Sequence, residues 1–181
     1  MRVLTCFDDR ESVPWANGAG RTTELVSLTD SMALTPELRR WRLSIAALES
    51  TGPFSRLPGM VRTFLPTAEV ALRIGSHLHR AGPSAPLRFH GDDDVSLVEL
   101  ARKCFAINLM VEDPGAGTDG ESSGLGALQM HCPVPTEEAH DHGRQRFVLT
   151  LETTSSFRRF QLLELAESDK LPESLEVVVL N

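Results

Sequence analysis

The chain has 181 residues, 41% hydrophobic and 24% charged, which suits one compact domain or two small lobes and excludes a disordered or fibrous protein. A formal charge of −7, from 18 Lys and Arg against 25 Asp and Glu, excludes the clustered basic face that a nucleic-acid partner needs. An anionic ligand would have to be held locally, by a buried arginine that salt hardly screens.

The opening MRVLTCFDDRES meets charge before an apolar run can form, so neither a signal peptide nor a membrane span is expected. Cys6, Cys104 and Cys132 lack paired spacing and fit small, buried, reduced thiols in a cytoplasm. Next comes VPWANGAGRTTE, Val13 to Glu24. Gly18 and Gly20 suggest a tight path, Trp15 an amphipathic anchor, and Asn17 a neutral donor and acceptor. A phosphate cradle is ruled out because no GK[ST] follows.

TPELRRW predicts a helix of one or two turns, with Thr35 as N-cap and Pro36 in the first helical position. In WRLSIA, Trp41, Leu43 and Ile45 alternate with Arg42, Ser44 and Ala46, the period of a strand. On spacing alone the Arg42 and Ser44 face is half-solvated. GPFSRLPG follows, where Pro53 and Pro58 stiffen a loop that Gly52 and Gly59 let turn; it reads as a ligand wall or as a stiff hairpin connection. VRTFL opens a further strand. Two strands so joined can aim Arg42 and Arg62 at one side, and such a pair needs an anion between them. Glu24 and Asp92 are the internal candidates, and a ligand carboxylate is the alternative.

Val70, Leu72 and Ile74 mark another strand, and HLH then puts His77 and His79 on one strand face, as metal sites in barrels do. No acid follows, and HDH at His140 to His142 lies far along the chain, so solvated histidines and no metal are expected. In FHGDDD, Asp93 and Asp94 are expected to cap a loop, leaving Asp92 as the functional candidate. Phe105, Ile107, Leu109 and Val111 alternate as a strand; DPGAGTDGESSG, residues 113–124, reads as an exposed connection between lobes of about 1–112 and 125–181. PTEEAHD suggests a short helix, and Phe147, Leu149 and Leu151, then LEVVVL, close the strand series. Turns at these spacings predict an antiparallel sandwich or barrel. No GxSxG elbow is present and no cysteine sits in a catalytic context.

PWANGAGRTTE, WRLSIAALESTGPFSRLPGMVR, FHGDD and INLM, in this order, resemble the HutD/Ves family, whose pattern runs PW-K-N-GGG-x-T-x-E, WR-x-S-x-A, GPFS-x-x-PG-x-x-R, F-x-GD and D-F-N-x-M. The match covers Val13 to Met110. The resemblance implies an all-β, RmlC-like jelly-roll cupin barrel, two-lobed in the bicupin manner with few short helices, in a cytoplasmic bacterial protein. HutD proteins accompany histidine-utilisation genes, and a governing rather than catalytic role is proposed for them through binding of an intermediate such as formylglutamate or urocanate. Matching positions are Trp15, Asn17, Thr22, Glu24, Arg42, Ser44, Phe54, Ser55, Arg62, Asp92 and Asn108. The chain departs from the pattern at Ala16 (family Lys), Ala19 (Gly) and Ala106 (Asp), which removes an ion pair or alters ligand choice.

The expected function is binding of a small organic acid, with Arg62 and Arg42 on its carboxylate, Ser44 and Asn108 completing its hydrogen bonds, and Trp15 and Phe54 as the apolar wall. Neither cofactor nor membrane partner is expected, and a homodimer is compatible with the sequence. The rival is a cupin-type enzyme, an isomerase or metal-dependent oxygenase, using Glu24 or Asp92 as base or the histidines as ligands.

Overall fold

The computed structural model describes residues 1–113, 115, 126–134, 146–166, 168–169, 172 and 175–180, with the side chains at 132–134 and 146 outside that description. Most of the glycine-rich connection, PTEEAHD and His140 to His142 therefore lie outside the described residues. In chain order the strands are β1 (Arg2–Cys6), β2 (Ser12–Pro14), β3 (Gly20–Val26), β4 (Trp41–Leu48), β5 (Gly52–Pro53), β6 (Met60–Pro66), β7 (Val70–Ile74), β8 (His77–Ala81), β9 (Leu87–His90), β10 (Val95–Leu100), β11 (Cys104–Glu112), β12 (Met130–Val134), β13 (Arg146–Thr150), β14 (Gln161–Leu165) and β15 (Val177–Leu180). All fifteen belong to antiparallel sheets, so the all-β reading holds. No helix among the described residues is long and apolar enough to cross a membrane.

Two compact units make up the chain. One is Ser12–Leu128; the other joins Met1–Glu11 to Gln129–Asn181. The first eleven residues thus depart from the expected leading lobe, because β1 pairs with β14. That second unit is a five-stranded sheet, β1-β14-β13-β15-β12, with an apolar cluster of Val148, Phe157, Leu163, Leu175, Val177 and Val179.

The Ser12–Leu128 unit has a six-stranded sheet, β2-β3-β4-β11-β6-β9, and a four-stranded one, β5-β10-β7-β8. Ala46, Leu48, Phe64, Phe89 and Ala106 of the first pack with Val70, Leu72, Ala81, Val95 and Leu97 of the second, so the core lies between the two sheets. Alternation in β4 buries both faces: Trp41, Leu43 and Ile45 are fully enclosed, and Ser44 on the other face is 1% exposed. The half-solvated expectation for that face is therefore corrected.

The helix also falls elsewhere than expected. Helix α1 is Leu28–Leu34, opened by a capping box in which the Ser27 hydroxyl accepts the Asp30 N–H while the Asp30 carboxylate accepts the Ser27 N–H. Thr35 ends this helix as its C-cap instead of starting one; its hydroxyl donates to Ser31 O and accepts from Trp41 Nε1.

Candidate functional site

The inner face of the six-stranded sheet carries the polar residues. In β4, β11 and β6, residues of one parity share that face, and the register sets Arg42, Met110, Arg62 and Phe89 in one row and Glu24, Ser44, Asn108, Phe64 and Leu87 in the next. Arg42 and Arg62 do point to one side, but their strands are not neighbours: β11 lies between them, with Met110 as the spacer.

Above this face runs the GPFSRLPG loop. Gly52 and Pro53 pair with Leu97 and Ser96 as β5, and Phe54 N–H donates to Val95 O at 2.9 Å. Leu57 N–H then donates to Gly91 O at 2.8 Å, and Gly91 N–H to Met60 O at 2.7 Å. Gly91 permits this close approach, since a Cβ there would fall 1.8 Å from Leu57 O. Gly59, at φ 75°, turns the chain back into β6. The stiff loop thus serves as a wall over the sheet.

Between loop and sheet lies a cavity of about 240 Å³, lined on the sheet side by Thr22, Arg42, Ser44, Ala46, Leu48, Arg62, Phe64, Asn108 and Met110 and on the loop side by Trp15, Phe54, Ser55 and Leu57. That is somewhat below the ~300 Å³ floor usual for drug-sized ligands and suits a small metabolite. Its apolar wall is continuous: Trp15 meets Phe54 edge-on at 6.0 Å, Phe54 meets Phe64 at 5.5 Å, and Trp15 Nε1 donates to Thr22 Oγ1 at 2.7 Å.

The charges divide unequally. Arg42 is answered inside the protein, because its Nε donates to Glu24 Oε2 and its Nη1 faces Met110 Sδ at 3.9 Å. Arg62, only 8% exposed, makes no ion pair among the described residues, and its buried Nε has no hydrogen-bond partner there. Its Cζ sits 5.5 Å from the ring centre of Phe54 and 5.6 Å from that of Phe89. Burial, then the charge of Arg42, pull its pKa down to about 10, so it stays a cation at neutral pH with an unmet need for an anion. Asn108 is the second orphan. Its Nδ2 donates to Ala106 O at 3.3 Å, while its Oδ1, enclosed in a residue 5% exposed, has no partner among the described residues. A buried polar atom left so costs about 1–3 kcal/mol.

Of the residues expected from sequence, Arg62, Arg42, Ser44, Trp15, Phe54, Ser55 and Asn108 come together at this cavity. Three do not line it. Asn17 shapes the preceding loop, donating to Pro53 O at 3.1 Å and accepting the Ala19 N–H at 3.0 Å. Glu24 acts on the cavity only through Arg42. Asp92 is exposed on the β9–β10 turn, whereas Asp93 caps that turn by accepting the His90 N–H at 2.8 Å. Phe89 and Met110 were missed, since the pairing of β6 with β9 and β11 places them, and nothing local does. Phe64 was missed as well, although its place two residues after Arg62 puts it on the same strand face. Ala106 sits fully buried between Ala46 and Pro66, and Ala16 is exposed. His77 and His79 lie 6.5 Å apart on β8, and no three His, Cys, Asp or Glu side chains gather into a metal site among the described residues. Burial pushes the Cys6 and Cys104 thiols up, as expected of inert packing residues.

Fold and site together define an all-β protein with an internal cavity that presents, among aromatic rings, the Arg62 guanidinium, which makes no ion pair among the described residues. The chain belongs to the HutD family, whose model matches residues 8–131. Protein Ves of Escherichia fergusonii is 36% identical over 86 residues, which are 45% of this chain and 42% of Ves, so the match spans less than half of that relative. HutD from Pseudomonas fluorescens SBW25 shares the fold at a TM-score of 0.62 and 20% identity, over 97% of this chain and 95% of that one. A conserved protein of Pseudomonas aeruginosa PAO1, described as of unknown function, gives a TM-score of 0.64 at 16% identity, over 99% and 90%.

Proposed function

We propose that this protein binds a small organic carboxylate in the cavity between its two N-terminal sheets and acts as a non-catalytic sensor of that acid in the bacterial cytoplasm. The supporting observation is the Arg62 guanidinium, buried between Phe54 and Phe89 with no ion pair among the described residues. Acids of histidine breakdown, formylglutamate and urocanate, are the first candidates, because the family carries the name of that pathway. Energetics require several contacts. One charge-assisted hydrogen bond contributes roughly 1.5–3 kcal/mol, whereas even millimolar binding demands about 4 kcal/mol. The Ser44 hydroxyl, the Asn108 amide and the Trp15–Phe54 wall are placed to supply the remainder.

The test is a thermal-shift series with these acids on the parent protein and on Arg62→Met, which keeps the volume and removes the charge. At a concentration about 100 times Kd, a bound acid should raise Tm by several degrees in the parent and leave the variant unmoved. An equal rise in both would take Arg62 out of the site.

A further inference from the structure

We infer that the acid carries a single carboxylate and a short apolar tail: the carboxylate meets Arg62, and the tail lies on the floor that Ala46 forms beneath the Trp15 indole. This rests on the carboxylate reading of Arg62 and names the class of acid. The cavity changes character along its strands. Its lining cations, Arg42 and Arg62, share one row of the sheet, and no other charged residue lines it among the described residues. Arg62 Nε is enclosed, so the guanidinium turns its Nη groups to the cavity. One step further along the strands stand Ser44 and Phe64, and a second step brings Thr22, Ala46 and Ala106 into line across β3, β4 and β11. Each step is two residues, about 7 Å.

That far end suits hydrocarbon. The side chains of the Ala46 row are small and leave space that larger ones would fill, with Leu48 in the row beyond. Trp15 covers it: the indole Nε1 is spent on Thr22 Oγ1, and the ring lies so close over Gly20 that a Cβ there would come within 3.3 Å of it. Phe54 joins the two ends, meeting Trp15 edge-on at 6.0 Å while Arg62 Cζ lies 5.5 Å from its centre. A second carboxylate has no good place. On the Ala46 row it would lose its water with no charge to replace it, and at Arg42 it would stand beside Glu24, which already holds that guanidinium. An alkyl or aryl tail in the same space is instead favoured by the apolar surface it withdraws from water.

Two near-isosteres separate the classes. Succinate and 4-methylpentanoate share a chain length, and the far carboxylate of the first is an isopropyl group in the second. Calorimetric titration of the parent protein should give 4-methylpentanoate an affinity on the order of tenfold or more above succinate, because the buried second charge finds no partner. Equal or tighter binding of succinate would overturn the inference, as would no binding of 4-methylpentanoate at millimolar concentration, and neither outcome depends on how a variant folds. Ala46→Val raises the floor, so it should weaken 4-methylpentanoate about fivefold more than propionate, whose tail is too short to reach that row. An equal loss for both would overturn the placement of the tail. Arg62→Met gives the separate control: undiminished binding of 4-methylpentanoate there means that the carboxylate reading itself has failed, whereas lost binding there together with a parent preference for succinate rejects the class of acid alone.

Discussion

A guanidinium enclosed by two phenyl rings loses most of its water yet keeps its charge, and Arg62 carries that cost in the free protein. The direction with pH follows. Its pKa falls on folding from the usual arginine value to about 10, so between those two the unfolded chain holds the proton more tightly and stability rises with pH. Below pH 10 the whole penalty is present, about 3 kcal/mol at ~1.4 kcal/mol per pH unit. Replacing a buried unpaired charge by an apolar side chain of like size removes that penalty. Without ligand, Arg62→Met should therefore raise Tm by a few degrees in scanning calorimetry, while abolishing the response to acids. A fall in Tm would mark Arg62 as structural, its ring contacts outweighing desolvation. Under the proposed function, Glu24 sets how much positive charge the acid would meet, because it holds Arg42. Glu24→Gln frees Arg42, so dicarboxylates should gain affinity relative to monocarboxylates by severalfold, and an unchanged ratio would show that Arg42 does not reach the ligand. At this scale the sequence was informative about placement, since Arg62, Arg42, Ser44 and Asn108, singled out there, line one cavity. In FHGDDD the expected cap at Asp93 is found, whereas Asp92, expected at the site, is exposed on the turn and does not line the cavity.

Elements bring these residues together, and the loop from Phe54 to Gly59 is the element most exposed to failure. It has little regular pairing of its own and hangs on the exchange between Leu57, Gly91 and Met60. Gly91→Ala would place a methyl group 1.8 Å from Leu57 O, so the loop must move away. Such overpacking costs about 1–3 kcal/mol and shifts Phe54 off Arg62. Urea unfolding should show that loss, and acid binding should weaken with it; Gly91→Ala with parent-like affinity would show that the loop is not the cavity's wall. The alternating runs that begin at Trp41, Val70 and Phe105 made their strands legible, because period two survives any tertiary context. Strand order was not legible. WRLSIA and VRTFL look like arms of one hairpin, yet β11, forty residues downstream, inserts between them. Helix placement failed for a local reason: Thr35–Pro36 imitates an N-terminus, while the working cap, SLTD at Ser27 to Asp30, uses aspartate where a glutamate or glutamine is the usual signal.

The whole molecule combines local and very distant pairing. β1 and β14 are separated by most of the chain, a contact that no periodicity announces, and it places Met1–Glu11 in the unit that does not hold the cavity. The ion pairs that tie this segment down are exposed. Arg158 grips Asp9 through two hydrogen bonds of 2.8 and 2.6 Å, and Arg2 reaches Glu164 at 2.6 Å. Hydrogen bonds from Arg158 hold the Asp9 carboxyl below its usual 3.8. A depressed carboxyl stabilises the fold above its unfolded pKa and stops doing so as pH falls through the folded one, so this support is lost below about pH 4. In the cavity's unit Arg62 stays charged throughout that range, and the carboxyl there with a lowered pKa among the described residues, Asp113 after β11, is held first by the Gly115 N–H and not by an ion pair across strands. Both tryptophans, Trp15 and Trp41, lie in the cavity's unit, so their fluorescence reports on it alone, whereas far-ultraviolet circular dichroism reports on every sheet. Acid titration should accordingly separate the two signals: sheet content and amide protection of Arg2–Cys6 decline first, and tryptophan emission follows at lower pH. Arg158→Gln should bring the first step to higher pH without moving the second. Coincident transitions in the parent protein would instead mean that both units unfold as one cooperative body, with the Asp9–Arg158 pair a bystander.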